Sequence, residues 1–115
     1  MAEAAVAAVK FRGSVRRDQR SSSLPWATLT VSADELWVRR PTVEPVHVLR
    51  TDGASVGWAR GRFSLRIYVL LLDEDGRRIF DWAFLPLRPR RLRRTLTTLD
   101  WPLAHRPDLT RTWGR

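Results

Sequence analysis

Residues 86–102, PLRPRRLRRTLTTLDWP, decide the fold because they carry the clearest helical periodicity in this chain. Their leucines recur at spacings of four and three residues: Leu92, Leu96 and Leu99. Such spacing places the three side chains in one stripe along an α-helix. Pro89 suits the first turn, where a missing N–H costs nothing, and Pro102 ends the helix. The stretch therefore predicts an amphipathic helix whose leucine stripe is buried against the rest of the chain.

The opposite half of this helix carries four arginines, which we call the basic helix face: Arg90, Arg91, Arg93 and Arg94. A charged face opposite an apolar stripe is typical of a surface helix. We therefore interpret these arginines as the solvated side of a packed helix. The alternative is a basic arm that contacts phosphate groups.

Outside this helix the hydrophobic period is mostly two, which is the period of a β-strand. Alternation predicts strands over residues 5–12, 26–32, 36–39, 46–50, 63–72 and 78–85. Turns are predicted between them, and the longer connections are residues 13–25, 41–45 and 73–76. In the strand 63–72, Tyr68 falls on the polar face, whereas Leu70 and Leu72 make the far end apolar on both faces. The fold class expected is mainly β, with about seven antiparallel strands in a small bent barrel or sandwich.

Composition limits the class of protein and of site. The chain has 115 residues, the size of one domain, and its 43% hydrophobic residues with six tryptophans are a globular composition. It has no cysteine, which excludes disulfides and thiolate metal sites. The longest apolar run is too short to span a bilayer, and residues 1–11 lack the cationic start of a signal peptide. We therefore expect a cytoplasmic protein without a transmembrane segment.

The net charge of +9 is concentrated in two segments. Residues 88–94 hold five arginines and no acid, and residues 10–20 hold five basic residues and one aspartate. Concentrated charge of one sign attracts anionic partners. The two histidines, His47 and His105, have no local acid, cysteine or serine motif beside them. The sequence therefore predicts no catalytic residue, no metal ligand and no cofactor.

The order of the predicted elements resembles the pleckstrin-homology-like fold. The similarity rests on KFRGSVRRDQRSSSLPWATLTVSADELWVRR, residues 10–40, and on PLRPRRLRRTLTTLDW, residues 86–101. The first resembles the opening strand, basic loop and hairpin of the family, and the second resembles its closing helix. The resemblance, closest to short bacterial members, implies two meanders of strands closed by one C-terminal amphipathic helix. We expect a single domain over residues 1–103 and a flexible polar tail over residues 104–115.

The resemblance also implies a non-catalytic binding module. Basic positions of the family correspond to residues around the first loop and at the rim after the third strand: Lys10, Arg16, Arg17, Arg20, Arg39 and Arg40. Three carboxylates in DEDG, residues 73–76, would repel an anionic headgroup at that rim. We therefore expect a protein partner or self-association. The alternative is nucleic acid or an anionic surface, bound through residues 10–20 and 88–94.

Two tryptophans are further candidates for contact with a partner. Trp37 and Trp58 are each followed two residues later by an arginine, so aromatic and basic side chains share an outward strand face. A face of this kind can stack bases or hold a peptide. Both tryptophans are therefore included in the candidate binding site.

Overall fold

The computed structural model describes residues 8–17, 21–22, 27–41, 43–60, 67–80 and 82–106. The elements of the first half are β1 (Val9–Arg17), β2 (Ser21–Ser22), β3 (Ala27–Val31), β4 (Glu35–Arg40) and β5 (Val43–Leu49). A 3-10 turn (Arg50–Asp52) leads to β6 (Ser55–Arg60), β7 (Ile67–Leu72), β8 (Ala83–Pro86), α1 (Pro89–Thr98) and β9 (Leu103–His105). The described part is thus mainly β with one α-helix, in agreement with the predicted class.

One sheet contains all of these strands, in the order β5-β4-β3-β1-β8-β7-β6-β9, with β2 paired to β1. Every pairing is antiparallel except that of β6 with β9, which is parallel. β1 is the central element because it pairs with β3 on one side and with β8 on the other. It therefore joins two meanders, β1-β3-β4-β5 and β6-β7-β8, into a single sheet.

The main hydrophobic core lies on the inner face of this sheet. Side chains from both meanders share one cluster, including Leu36 of β4 and Val56 of β6, so the sheet curls around it. Alternation within the strands places these residues inward, as the buried–intermediate pattern of β3 shows. Leu92 and Leu96 of α1 are fully buried in the same cluster, and the four arginines of the basic helix face point away from it. An amphipathic helix within residues 86–102 is confirmed, but it ends at Thr98, so Leu99 is its C-cap and Pro102 lies beyond its end.

The first strand differs from its prediction. The described strand extends to Arg17, so residues 13–17, predicted to be loop, are part of β1, and Ser21–Ser22 pairs with its end. Partners on both sides explain the extension, since Gly13 lies opposite Ala27 of β3 and Pro86 of β8. Residues 43–45, predicted to be a turn, belong to β5. This strand ends the sheet order, and an edge position tolerates a proline such as Pro45.

The second meander brings three further corrections. The hydrophobic pattern predicts strand over residues 78–82, but the strand begins at Ala83, after a bend in which Phe80 stacks on Trp82 with ring centroids 4.8 Å apart. Tyr68, predicted on a polar face, is only 3% exposed and packs in a second cluster with Leu70 and Leu72. Ala104 and His105, predicted to belong to a flexible tail, are instead part of a strand, Leu103–His105. Residues 107–115 lie outside the described part.

Gly13 of β1 lies directly against the backbone of β8, and its replacement by alanine is expected to destabilise the fold. An added Cβ would lie 2.3 Å from the carbonyl oxygen of Leu85 and 2.7 Å from Phe84 Cζ. Relieving these overlaps requires a backbone shift, which costs about 1–3 kcal/mol. We expect Gly13→Ala to lower the free energy of unfolding by that amount in urea titrations. Ser14→Ala on the same strand is the control and should stay within about 0.5 kcal/mol of wild type. Equal stability of the two variants would contradict the close packing of β1 on β8.

Candidate functional site

Outward-facing residues of four neighbouring strands line up in two rows across the sheet. In the first row, Lys10 of β1 lies opposite Thr30, Thr30 opposite Trp37, and Trp37 opposite His47. In the second row, Arg12 lies opposite Thr28, and Thr28 opposite Arg39. We call these seven residues the basic sheet face: Lys10, Arg12, Thr28, Thr30, Trp37, Arg39 and His47. Facing side chains in antiparallel strands have Cβ atoms about 4.5–5.5 Å apart, so each row is a line of neighbours.

The alternation of each strand fixes the direction of this face. In β4, Leu36 and Val38 are buried, which turns Trp37 and Arg39 outward. Lys10, Arg12 and His47 are exposed by the same alternation in β1 and β5. Trp37 is 37% exposed. An indole ring this exposed on a sheet surface is available to a partner.

A small cluster holds the ring of Trp37 in place. The imidazole of His47 stacks on the indole with centroids 4.7 Å apart and planes 24° from parallel. His47 Nδ1 donates to Glu35 Oε2 at 2.9 Å. The carboxylate therefore orients the imidazole, and the imidazole supports one side of the indole. A preordered aromatic side chain loses less conformational entropy when a partner binds.

The charge of the basic sheet face is largely uncompensated. Among the residues that the structure describes, no acidic side chain forms an ion pair with Lys10, Arg12 or Arg39. The nearby carboxylate of Glu35 is engaged by His47. Three cations therefore share one face of the sheet with an exposed aromatic ring, and the surface is complementary to an anionic partner.

The structure separates several residues that the sequence pattern groups together. Arg39 belongs to the basic sheet face, whereas Arg40 lies 4.9 Å from the ring centroid of Trp82. Successive strand residues point to opposite faces, and a register shift between Val38 and Arg40 adds to the separation. Arg39 and Arg40 both end β4, but the two side chains have different neighbours.

The basic residues of the predicted first loop also divide. Arg16 Nη1 donates to the hydroxyl of Tyr68 at 3.1 Å, which ties it to the second meander. Arg17 ends β1, but its side chain and the whole of Arg20 lie outside the described residues. Of the predicted basic residues in this segment, only Lys10 is placed on the basic sheet face. Arg12 and His47 were not among the predicted binding residues, although Arg12 lies two residues after Lys10 and His47 alternates with the inward Val46 and Val48.

Trp58 lies on a different surface from Trp37. It lines a cleft of about 490 Å³ together with Arg93 of α1 and residues of β9: Leu103, Ala104 and His105.

The acidic turn at residues 73–76 forms as predicted. Gly76 has a φ of 79°, and Asp73 Oδ1 accepts hydrogen bonds from the backbone of Asp75 and Arg77. In the described part of the chain, no group of three histidine or acidic side chains is placed to hold a metal ion. No helix described there is long and apolar enough to cross a bilayer.

Comparisons with known proteins add no relative to this description. No protein-family model, no curated protein and no solved structure matches the chain. The basic sheet face and the cleft at Trp58 are therefore characterised by their own residues. What distinguishes them is exposed cations beside aromatic rings, on two separate parts of one sheet.

Proposed function

We propose that the protein is a non-catalytic interaction module of pleckstrin-homology-like type whose basic sheet face binds an acidic segment of a protein partner. Support for the fold type comes from two antiparallel meanders joined through β1 and followed by one amphipathic helix. The observation that carries the binding proposal is the row in which Lys10, Thr30, Trp37 and His47 follow one another across four strands. The row places an exposed aromatic ring on the same face as Lys10, Arg12 and Arg39, which form no ion pair with any described residue.

The composition of the face favours a protein partner. Tryptophan and arginine are among the residues most enriched at the energetic centres of protein interfaces. Leu49, 43% exposed, lies opposite Glu35 next to the Trp37–His47 stack and extends the apolar centre. An apolar centre with a charged rim is the usual anatomy of such interfaces. Single-stranded nucleic acid prefers several successive aromatic platforms, whereas this face offers one stacked pair.

The charge favours an acidic partner over a second copy of the chain. A two-fold dimer through this face would bring the same surface of each copy together. Lys10, Arg12 and Arg39 of one copy would then approach those of the other, and juxtaposed like charges cost free energy. The net charge of +9 adds a general repulsion between copies. An acidic segment would avoid both the repulsion between the two faces and the repulsion between two positively charged chains.

A second candidate function is nucleic-acid binding through the basic helix face. The observation that favours it is the helix start, where Arg90 and Arg91 follow Pro89 and the first turn contains no acidic residue. Cations at a helix N-terminus oppose the macrodipole and lower stability. A contribution to binding phosphate would offset that cost. This candidate uses a different surface, so one set of variants separates it from the proposal.

Variants of the basic sheet face are expected to lose affinity for an acidic peptide. The probe is a labelled peptide of glutamate and aspartate residues around one leucine, followed by fluorescence anisotropy at physiological salt. Trp37→Ala should weaken binding about thirtyfold, because a hot-spot aromatic contributes about 2 kcal/mol. The triple variant Lys10→Gln, Arg12→Gln, Arg39→Gln should weaken it at least about tenfold and flatten its salt dependence.

The matched control changes the four arginines of the basic helix face to glutamine. This variant should bind the peptide as wild type does and should fold normally, since exposed substitutions usually change stability by less than about 0.5 kcal/mol each. Duplex DNA is the competing probe. Tight binding of duplex DNA by the wild type would favour the second candidate if the helix variant reduced its salt dependence. The slope of log K against log salt concentration should then fall by about 0.9 for each phosphate contact that is lost.

A further inference from the structure

We infer that the cleft between α1 and the β6–β9 edge of the sheet binds a small anion that carries a planar aromatic ring. Its chemical class is an aromatic carboxylate or an aryl phosphate. The inference rests on the residues that line the cleft and is independent of the basic sheet face. In the sheet order the two sites lie on opposite halves, because β5 ends one side of the sheet and β9 ends the other.

The parallel pairing of β6 with β9 builds one wall of the cleft. Leu103 lies opposite Val56, and His105 lies opposite Trp58. The backbone fixes this register at both ends, since Val56 N donates to the carbonyl of Pro102 and Arg106 N donates to the carbonyl of Trp58, each at 2.9 Å. Trp58, Leu103 and His105 therefore project from one side of the sheet, towards the helix that carries Arg93.

The polar side chains of the lining favour an anionic ligand. Arg93 offers only hydrogen-bond donors, the indole of Trp58 offers one donor, and His105 offers at least one. Among the described residues that line the cleft, no side chain is a carboxylate, an amide or a hydroxyl group. Within the described part of the chain, Arg93 and His105 form no ion pair with an acidic residue. A ligand that fits this lining must supply acceptors, and a carboxylate or phosphate group supplies them with the complementary charge.

The apolar side chains of the lining favour a ring. Trp58 and Leu103 are half-buried and pack against the main core, so their positions are fixed by the fold. A partly exposed indole beside an aliphatic side chain is a surface on which a planar ring stacks. The cleft volume of about 490 Å³ falls within the range of about 300–1,000 Å³ that is usual for small-molecule sites. Volume, stacking surface and donors together specify a small aromatic anion.

Calorimetric titration of the full chain with four probes tests the inference. The aromatic anions are 1-naphthoate and 1-naphthyl phosphate, the neutral analogue is 1-naphthamide, and inorganic phosphate is the anion without a ring. We expect at least one aromatic anion to bind with a one-to-one stoichiometry. The amide and inorganic phosphate should each bind at least tenfold more weakly. The aromatic anion that binds more tightly identifies whether a carboxylate or a phosphate group suits the site.

A pair of helix variants shows whether binding occurs at this cleft. Arg93→Gln should weaken binding of the preferred aromatic anion at least tenfold. Arg91 is also exposed on this helix but does not line the cleft, so Arg91→Gln should change the Kd less than twofold. Both are surface changes that leave the leucine stripe intact. Absence of binding by both aromatic anions at millimolar concentration would overturn the inference. Equal weakening by the two variants would also overturn it, because it would indicate general attraction to a basic helix.

Discussion

Replacing Leu96 with aspartate is expected to unfold the protein. Leu96 is 0% exposed and lies in the main cluster, where α1 meets side chains of both meanders. The substitution removes a large apolar side chain and places a carboxylate where no solvent reaches it, which costs several kcal/mol. Domains of this size are stable by about 5–15 kcal/mol in total. We expect circular dichroism to show an unfolded chain at room temperature and no cooperative transition on heating.

The matched control introduces the same charge on the same helix at an exposed position. Arg91→Asp lies in the first turn, where a carboxylate interacts favourably with the helix dipole, so its melting temperature should remain close to that of wild type. If the melting temperature of Leu96→Asp equalled those of Arg91→Asp and wild type, the docking of α1 on the sheet would be contradicted. Leu96→Ala provides an intermediate point, with an expected loss of about 2–5 kcal/mol.

Arg50→Ala is expected to have the second-largest effect, a loss of about 2–4 kcal/mol in the free energy of unfolding. Arg50 Nη1 donates to the carbonyl of Leu99 at 2.8 Å and to that of Ala33 at 3.2 Å, and Nη2 donates to the carbonyl of Asp100. One guanidinium thus joins the end of α1 to the β3–β4 turn. Hydrogen bonds to a charged group contribute about 1.5–3 kcal/mol each, and a helix end without partners leaves carbonyls unsatisfied. Urea unfolding measures the loss.

Arg50→Lys separates the charge of this residue from its geometry. Lysine keeps a cation near the helix C-terminus but cannot reach several carbonyls with one planar fork, so we expect it to recover less than half of the loss. Arg88→Ala, an exposed position before the helix, is the reference for removing an arginine without such contacts. A stability of Arg50→Ala equal to that of Arg88→Ala would show that the helix end is held by other contacts. The indole of Trp101, which donates to the Ser32 carbonyl at 2.7 Å, would then be the first residue to test.

The features that could be predicted from the sequence are those that depend on neighbours a few residues apart. The leucine stripe of α1 follows from spacings of three and four, and the outward direction of Trp37 and Arg39 follows from the period of two. Both signals are local because helix and strand geometry repeats over such distances. The mainly β class with one amphipathic helix followed from the same signals.

Features that depend on pairing between distant segments could not be predicted. Tyr68 alternates as a polar-face residue, yet it is buried because the other side of β7 packs in the second cluster. Arg93 and Trp58 line one cleft with residues of β9, which pairs parallel to β6, and nothing within either segment indicates that pairing. The alignment of Lys10 with His47 required the register of four strands, which hydrophobic pattern alone leaves open.

The position of β1 between the two meanders has a consequence for synthesis of the chain. A nascent polypeptide can pair β1 with β3, and then add β4 and β5, early, because those strands follow closely. The other edge of β1 waits for β8, and the leucines that cover the core wait longer still, since α1 follows β8. Until then the growing chain presents an unpaired strand edge beside apolar side chains, a combination prone to aggregation. Completion of this fold therefore comes late in synthesis, because it requires contacts between segments that are distant in the sequence.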